Sequence, residues 1–210
     1  MIRSSHPNNA VVYGYFDGID TTGYDFRFVD HNNVGLIPTN DGLTLVFAAG
    51  ARRAAPRDSE LYLAETLRRV APDLADIVEE APRIGRLRRS ESIPSILRVP
   101  TGPGWSLVGD AGFAEDPISA HGIADALRDA ELCAEAVDIA LRDPDLETEA
   151  QDHYQRTRDR FAHPLLDYTT ELAGFAWDGP QASLLMRRLG KVVDEECTYL
   201  HRRRTAVPVG

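Results

Sequence analysis

Hydrophobic and polar positions change their period part-way along the chain. Up to about residue 50 the pattern is two-fold. Ala10–Asp17 is rich in Val and Tyr, and over Tyr24–His31 the residues Tyr24, Phe26 and Phe28 share one face while Asp25, Arg27 and Val29 share the other. Such alternation marks a strand with two unlike faces. Asp17-Gly18, Thr22-Gly23 and Asn40-Asp41-Gly42 supply turn chemistry around Asn33–Thr39 and Leu43–Ala49, so four short strands form an antiparallel meander. From Arg57 to Glu80 the spacing becomes helical, with Leu61, Leu63, Leu67 and Val70 in step. Ser59 is placed to cap this stretch, and Pro72 divides it into two helices. Arg83–Arg89 and Ile93–Val99 read as further strands, the second demoted by Pro94 to an edge or a broken strand.

Beyond residue 100 the pattern predicts one strand and then helices. Trp105–Gly109, a short apolar run bounded by glycines, has the profile of a buried strand. A helix of about five turns starts at Gly122, with Ile123, Ala126, Leu127, Ala130, Cys133, Ala134, Val137, Ile139 and Ala140 as its apolar, inward face. Asp143-Pro144-Asp145 ends it. Glu147–Ala176 continues as a long helical stretch bent at Pro164, and Gly179-Pro180 breaks the chain before a last helix running toward His201–Arg204. The fold class is α+β with partial α/β character. It divides into an antiparallel sheet with helices over 1–100, a strand–loop–helix over 101–142 and a helical segment over 143–210.

Composition narrows the function classes. With 43% hydrophobic and 27% charged residues the 210-residue chain is ordinary globular material. Twenty-three basic against 33 acidic residues leave a net charge of −10, which opposes nucleic-acid or anionic-membrane binding. No apolar run approaches the roughly 20 residues of a transmembrane helix, and MIRSSHPNNA lacks the apolar core of a secretory signal. The two cysteines, Cys133 and Cys197, are far apart and fit a reducing, cytoplasmic setting. Lys191 is the sole lysine, a compositional bias without chemistry.

The chemically informative stretch is Gly104–Ala130, GWSLVGDAGFAEDPISAHGIADALRDA. Asp110 falls at the carboxyl end of the expected strand, where ligands bind in α/β sheets. Its carboxylate can accept charge-assisted hydrogen bonds from hydroxyls. Amides near Gly122 and Ile123 open a helix and offer partial positive charge, and Gly122 lets a ligand approach the backbone. Turn chemistry alone accounts for the same glycines and aspartates in a plain strand–loop–helix connection.

The stretch resembles the flavin-facing motif of FAD-dependent monooxygenases and reductases, a group that includes aromatic hydroxylases, flavin-dependent halogenases and geranylgeranyl reductases. The residues that carry the resemblance are Leu107-Val108-Gly109-Asp110-Ala111, Asp116-Pro117, Gly122-Ile123 and Ala126-Leu127-Arg128-Asp129-Ala130. It implies that Gly109 and Asp110 hold the ribityl side of FAD, that Pro117 lies beside the isoalloxazine, and that the Gly122 and Ile123 amides face its pyrimidine edge. Many relatives carry Gly-Gln-Gly before the helix, where this chain has Ala120-His121-Gly122. His121 is thus either a flavin-side proton relay or a loop histidine pointing at solvent. More loosely, Val11–Phe16, Tyr24–Phe28 and Leu36–Val46 resemble the family's substrate-domain sheet. Tyr13, Tyr15, Tyr24, Phe26, Phe28 and Arg27 are then candidates for the substrate cavity, with ordinary sheet core as the alternative.

The family's opening strand–Gly-x-Gly-x-x-Gly–helix unit, which binds the ADP half of FAD, has no counterpart among the 16 glycines. Gly102 and Gly104 have the right spacing, but position 107 is Leu. The family's middle Asp-Gly motif is also not recognisable. The resemblance therefore covers the C-terminal part of such an enzyme. It implies FAD as cofactor, NAD(P)H as reductant, a small-molecule or lipid-like organic substrate, and a separately encoded FAD-binding half as partner. The alternative is a truncated, non-catalytic fragment or binding module that does not hold FAD alone. No catalytic acid or base stands out. Gly104–Gly109 fails as a nucleophile elbow because position 108 is Val, and Gly190-Lys191-Val192 is not a P-loop. His153 and His163 lack companions at metal-ligand spacing. Arg86, Arg88 and Arg89, like Arg202, Arg203 and Arg204, read as solvated, with an NADPH-phosphate or partner contact as the alternative for either cluster; Glu195 and Glu196 read as surface pairs, and Cys133 as a core residue.

Overall fold

A computed structural model describes residues 2–206, with side chains to residue 203. Two compact units emerge, one from Pro7–Ile93 with Leu172–Leu184, the other from the N-terminal stretch through His6, Pro94–Glu171 and the chain from Leu185 onward. In order, the elements are β1 (Arg3–Ser5), β2 (Asn9–Phe16), β3 (Asp25–Val29), β4 (Asn32–Pro38), β5 (Thr44–Ala51), α1 (Ser59–Val70), α2 (Pro72–Glu80) and β6 (Arg83–Glu91). They continue as β7 (Ser95–Leu97), β8 (Thr101–Gly102), β9 (Trp105–Ser106), β10 (Phe113–Ala114), α3 (Gly122–Arg142), α4 (Glu147–Ala173) and α5 (Gly179–Ala206). The mixed α+β class is as expected. Among the described residues no helix is long and apolar enough to cross a membrane.

The first unit is a five-stranded antiparallel sheet, β3-β4-β5-β2-β6, with α1 and α2 on one face. Strand register sorts the side chains. Val12, Phe16, Val34, Leu36, Val46 and Ala48 pack with Tyr62, Leu63 and Leu67 of α1 and with Leu74, Ala75 and Val78 of α2. The opposite face is aromatic: Tyr13 meets Tyr15 edge-on, Tyr24 stacks on Phe26, Phe26 lies against Phe47, and Phe28 against Trp177. The turn into β5 uses Asp41 (φ 60°) and Gly42 (φ 74°), the residues that tolerate left-handed backbone. Asp58, not Ser59, caps α1, its carboxylate accepting from the Glu60 and Leu61 amides at 2.9 and 3.2 Å. Arg89 is not simply solvated either. It donates to Glu91 and to the Pro56 carbonyl, both at 2.7 Å, and lies over the Tyr62 ring. Arg86 and Arg88 are exposed as expected.

The second unit combines the sheet β1-β7-β10, the hairpin β8-β9, helix α3 and most of α4 and α5. Three expectations are corrected here. β7 is the central strand of its sheet, because Pro94 lies just outside it and its missing N–H is not needed by the ladder. The run Trp105–Gly109 is not a buried strand. Pro103-Gly104, with Gly104 at φ +76°, folds Trp105–Ser106 back on Thr101–Gly102. Trp105 and Val108 stay half exposed. The third concerns α3, whose inward face is polar: its buried residues are Asp125, Arg128, Asp129, Leu132 and Ala136, while Ile123, Leu127, Ala130, Ala134 and Val137 point outward. Cys133 is half-buried beside the cluster of Leu132, Ala136, Ala150 and Tyr154. α4 continues through Pro164. Asp178 and Gln181 form a reciprocal capping box at the start of α5.

Candidate functional site

The segment from Gly109 to the first turns of α3 is built by contacts to its back, which leave its front open. Gly109 takes φ +53°, and a Cβ there would come within 3.1 Å of the Ala126 Cβ. Only glycine allows this turn to press on α3. The turn Gly109–Ala111 is held by Arg98, whose amide donates to the Gly112 carbonyl at 2.9 Å and whose guanidinium donates to the Ala111 carbonyl at 2.9 Å. The Tyr154 hydroxyl donates to the Leu107 carbonyl at 2.7 Å just upstream. With its backbone so fixed, Asp110 is exposed, and among the described residues nothing engages its carboxylate. Sequence reasoning missed Arg98 and Tyr154; neither lies in the motif, and both are brought in by tertiary packing.

On the other side of the loop, Asp116 closes a single turn by accepting from the Ile118 amide at 3.0 Å, and Pro117 is exposed. Ala120 adopts φ 54°, a left-handed conformation costly for a residue with a Cβ. His121 precedes α3 without capping it by a side chain. The first amides of the helix are therefore uncapped, and a Cβ on Gly122 would meet nothing within 4 Å. Ile123 is 82% exposed. Gly109, Asp110, Gly122 and Ile123 are thus brought together around the start of α3. The His121 ring is not turned to this front, nor to solvent: its Nε2 faces the Glu196 Oε2 at 3.6 Å, and its side chain is largely buried.

Behind the helix start lies a charged cluster centred on Arg128. Its guanidinium, fully buried, donates to Asp125 Oδ1 at 2.5 Å, to Asp129 Oδ1 at 2.8 Å and to Glu196 Oε2 at 3.1 Å. Glu196 is thus a buried ion partner rather than half of a surface pair. Glu115 accepts from Ser119 at 2.5 Å and from Thr169 at 3.0 Å. Burial pushes the Asp125 carboxyl up to about 7 despite Arg128, and burial also raises Glu115 and Asp129. The neighbouring Glu196 carboxylate raises His121. Burial works against ionisation of Glu196, but His121 and Arg128 hold it below its usual range. His121, Asp125 and Glu196 offer ligand atoms within 4.8 Å of one another, and the Arg128 guanidinium already supplies positive charge to both carboxylates. In sequence, Arg128 and Asp129 read only as motif letters on a helix.

The substrate-side candidates divide. Tyr13 and Tyr15 lie on the aromatic face of the sheet. Arg27 pairs in register with Val34 on the helix-bearing face, where it donates to Asp25 at 3.0 Å and to Asp73 at 2.5 Å. Arg203 is ion-paired with Glu135 and hydrogen-bonded to Tyr199, and the Arg204 side chain lies outside the described residues.

Three solved structures set this geometry in context. The flavin-dependent brominase Bmp2 superposes with a TM-score of 0.70 at 16% identity, over 90% of this chain and 52% of its own. CmlS, a flavin-dependent halogenase, matches with a TM-score of 0.66 at 20% identity, over 93% and 39%. HpxO of Klebsiella pneumoniae, solved with FAD and uric acid, matches with a TM-score of 0.67 at 16% identity, over 99% and 55%. The fold is that of flavin-dependent halogenases and monooxygenases. This chain spans about half the length, or less, of each, consistent with the C-terminal part that the Gly-Asp-Ala and Gly-Ile segments resemble. No family model and no curated protein matches the sequence.

Proposed function

We propose that this chain is the flavin-facing half of an FAD-dependent oxidoreductase of the monooxygenase or halogenase kind, acting in the cytoplasm. One observation carries the reading: the Gly109 turn, packed on Ala126, sets an unengaged Asp110 carboxylate beside the uncapped first turn of α3. These residues fit FAD. Asp110 accepts a ribityl hydroxyl, the Gly122 and Ile123 amides donate to the pyrimidine edge, and exposed Pro117 flanks the ring. When bound, the flavin supplies electron transfer from NAD(P)H to oxygen or to an organic substrate. The protein's contribution is orientation and charge: a helix N-terminus favours negative charge on the ligand by about 0.3–1 kcal/mol, more where water is excluded. His121 acts from behind, holding the helix start against Glu196. Tyr13 and Tyr15 are the candidates for contact with a small organic substrate. Arg27, engaged by two carboxylates, serves the sheet instead.

A second reading, a module that does not hold flavin by itself, is favoured by the half-length match. The phosphate-binding loop that anchors most of FAD has no counterpart here, so the purified chain is expected to bind FAD weakly or not at all. The test is an FAD titration followed by absorbance near 450 nm, on the chain alone and together with the polypeptide encoded upstream of Met1. Flavin binding by the pair that is weakened by Asp110→Ala supports the proposal. A flat titration with both components leaves only the binding-module reading.

A further inference from the structure

The strand pairing of the first unit lays one row of side chains across its aromatic face. Arg88 of β6 stands opposite Tyr13 of β2, Tyr13 opposite Phe47 of β5, Phe47 opposite Gly35 of β4, and Gly35 opposite Phe26 of β3. Directly opposed residues share a face, so a guanidinium closes one end of a row of rings. Tyr15 meets Tyr13 edge-on at 6.4 Å, and Tyr15, Phe26 and Ile84 are 36, 42 and 49% exposed. The arginines of β6 divide by face. Arg89, opposite Val12, is on the helix-bearing side, where Glu91 and the Pro56 carbonyl accept from it. Arg88 is exposed on the aromatic side, and among the described residues neither a carboxylate nor a carbonyl engages it. The chain holds 33 acidic against 23 basic residues, yet this cation is left without an acidic partner beside the rings.

We propose that Arg88 makes this face selective for a planar aromatic carboxylate. The ligand ring lies against Tyr13 and Tyr15, and its carboxylate accepts two parallel N–H bonds from the guanidinium. Arginine suits this contact: its fork matches a carboxylate, it stays charged at any working pH, and it is more weakly hydrated than lysine. The inference rests on the flavin reading only in calling the ligand a substrate, since every residue it uses belongs to one unit. A charged residue on an edge strand also discourages strand pairing between molecules. That role is served by a charge anywhere along β6, as at Arg86, and does not require an unpaired guanidinium level with Tyr13.

The probes are 2-naphthoate and the neutral 2-naphthamide, titrated into the purified chain by calorimetry. The two share a ring system and differ in charge. Naphthoate is expected to bind about tenfold more tightly, the size of one charge-assisted contact at an accessible site, and to lose that advantage in about 0.5 M salt. Arg88→Gln should bring naphthoate down to the level of naphthamide and leave naphthamide unchanged, while Arg88→Lys keeps part of the difference. Tyr13→Leu should weaken both. Position 88 is exposed, so circular dichroism should show its variants folded. Equal affinity for the two probes, no binding of naphthoate, or a preference that survives Arg88→Gln overturns the inference. So does an Arg88→Gln variant that self-associates with its ligand preference unchanged, which leaves only edge protection. Charge-selective binding alongside a flat FAD titration keeps the site and sinks the flavin reading. FAD binding weakened by Asp110→Ala, with both naphthalenes bound equally, does the reverse.

Discussion

Arg128 shows how one side chain can decide what a helix presents. Its guanidinium gathers Asp125, Asp129 and Glu196 in the interior, and removing one partner of a buried ion cluster strands the others. Arg128→Met should therefore cost about 3–5 kcal/mol, read as a shifted midpoint in urea unfolding. Gly109 is the second decisive position. At φ +53° and within 3.1 Å of Ala126, Gly109→Ala meets both a backbone penalty and a steric one. A loss of about 1–2 kcal/mol is expected from the backbone alone. If the turn positions Asp110 for flavin as proposed, this variant should also weaken FAD binding, read by absorbance near 450 nm. The glycine and aspartate were legible in the sequence because spacing carries the turn. Arg98, which pins that turn from just beyond the end of β7, was not, since its role exists only after folding.

Among the elements, α3 separates what periodicity reports from what burial does. The apolar stripe is visible in sequence, and the ordinary inference places it inward. In the structure it faces out, because Asp125, Arg128 and Asp129 satisfy one another and can be buried as a group. Periodicity finds the two faces of a helix; only the partners on α5 say which is inside. The strands behaved differently. β2 to β5 fall close to their expected positions, since alternation and the Asn-Asp-Gly turn act locally. The hairpin β8-β9 escapes the sequence pattern because Gly104, which bounds the apolar run Trp105–Gly109, forms with Pro103 the turn that folds Trp105–Ser106 back on Thr101–Gly102. At α1, the carboxylate of Asp58 accepts two amides. Asp58→Ala should cost about 1 kcal/mol and Ser59→Ala much less, a comparison that thermal melts can make directly.

For the whole molecule, titration is the most accessible readout. Burial raises Asp125 to about 7 and also raises Glu115 and Asp129, while Glu196 raises His121. These four groups hold more protons in the folded chain than in the unfolded one between about pH 4 and pH 7, and the stability they contribute falls as pH rises through that window. Glu196, Asp73 and Glu91, held low by their cationic partners, work the other way and lose their contribution on acidification. Melting temperatures should accordingly be higher near pH 5 than near pH 8, by a few degrees. Asp125→Asn, which cannot ionise, should flatten the alkaline side of that profile.

The two tryptophans give this architecture an optical label in each unit. Trp177 is sealed between Phe28 and Phe175, its indole N–H donating to the Leu172 carbonyl at 2.8 Å. Trp105 rests half exposed on Gly102, only a few residues before the Gly109 turn. Emission should therefore contain a blue component from Trp177 and a red, quencher-accessible one from Trp105. Unfolding of the sheet and events at the Gly109 turn become separable in a single spectrum, and a yellow ligand settling near that turn should dim the red component first.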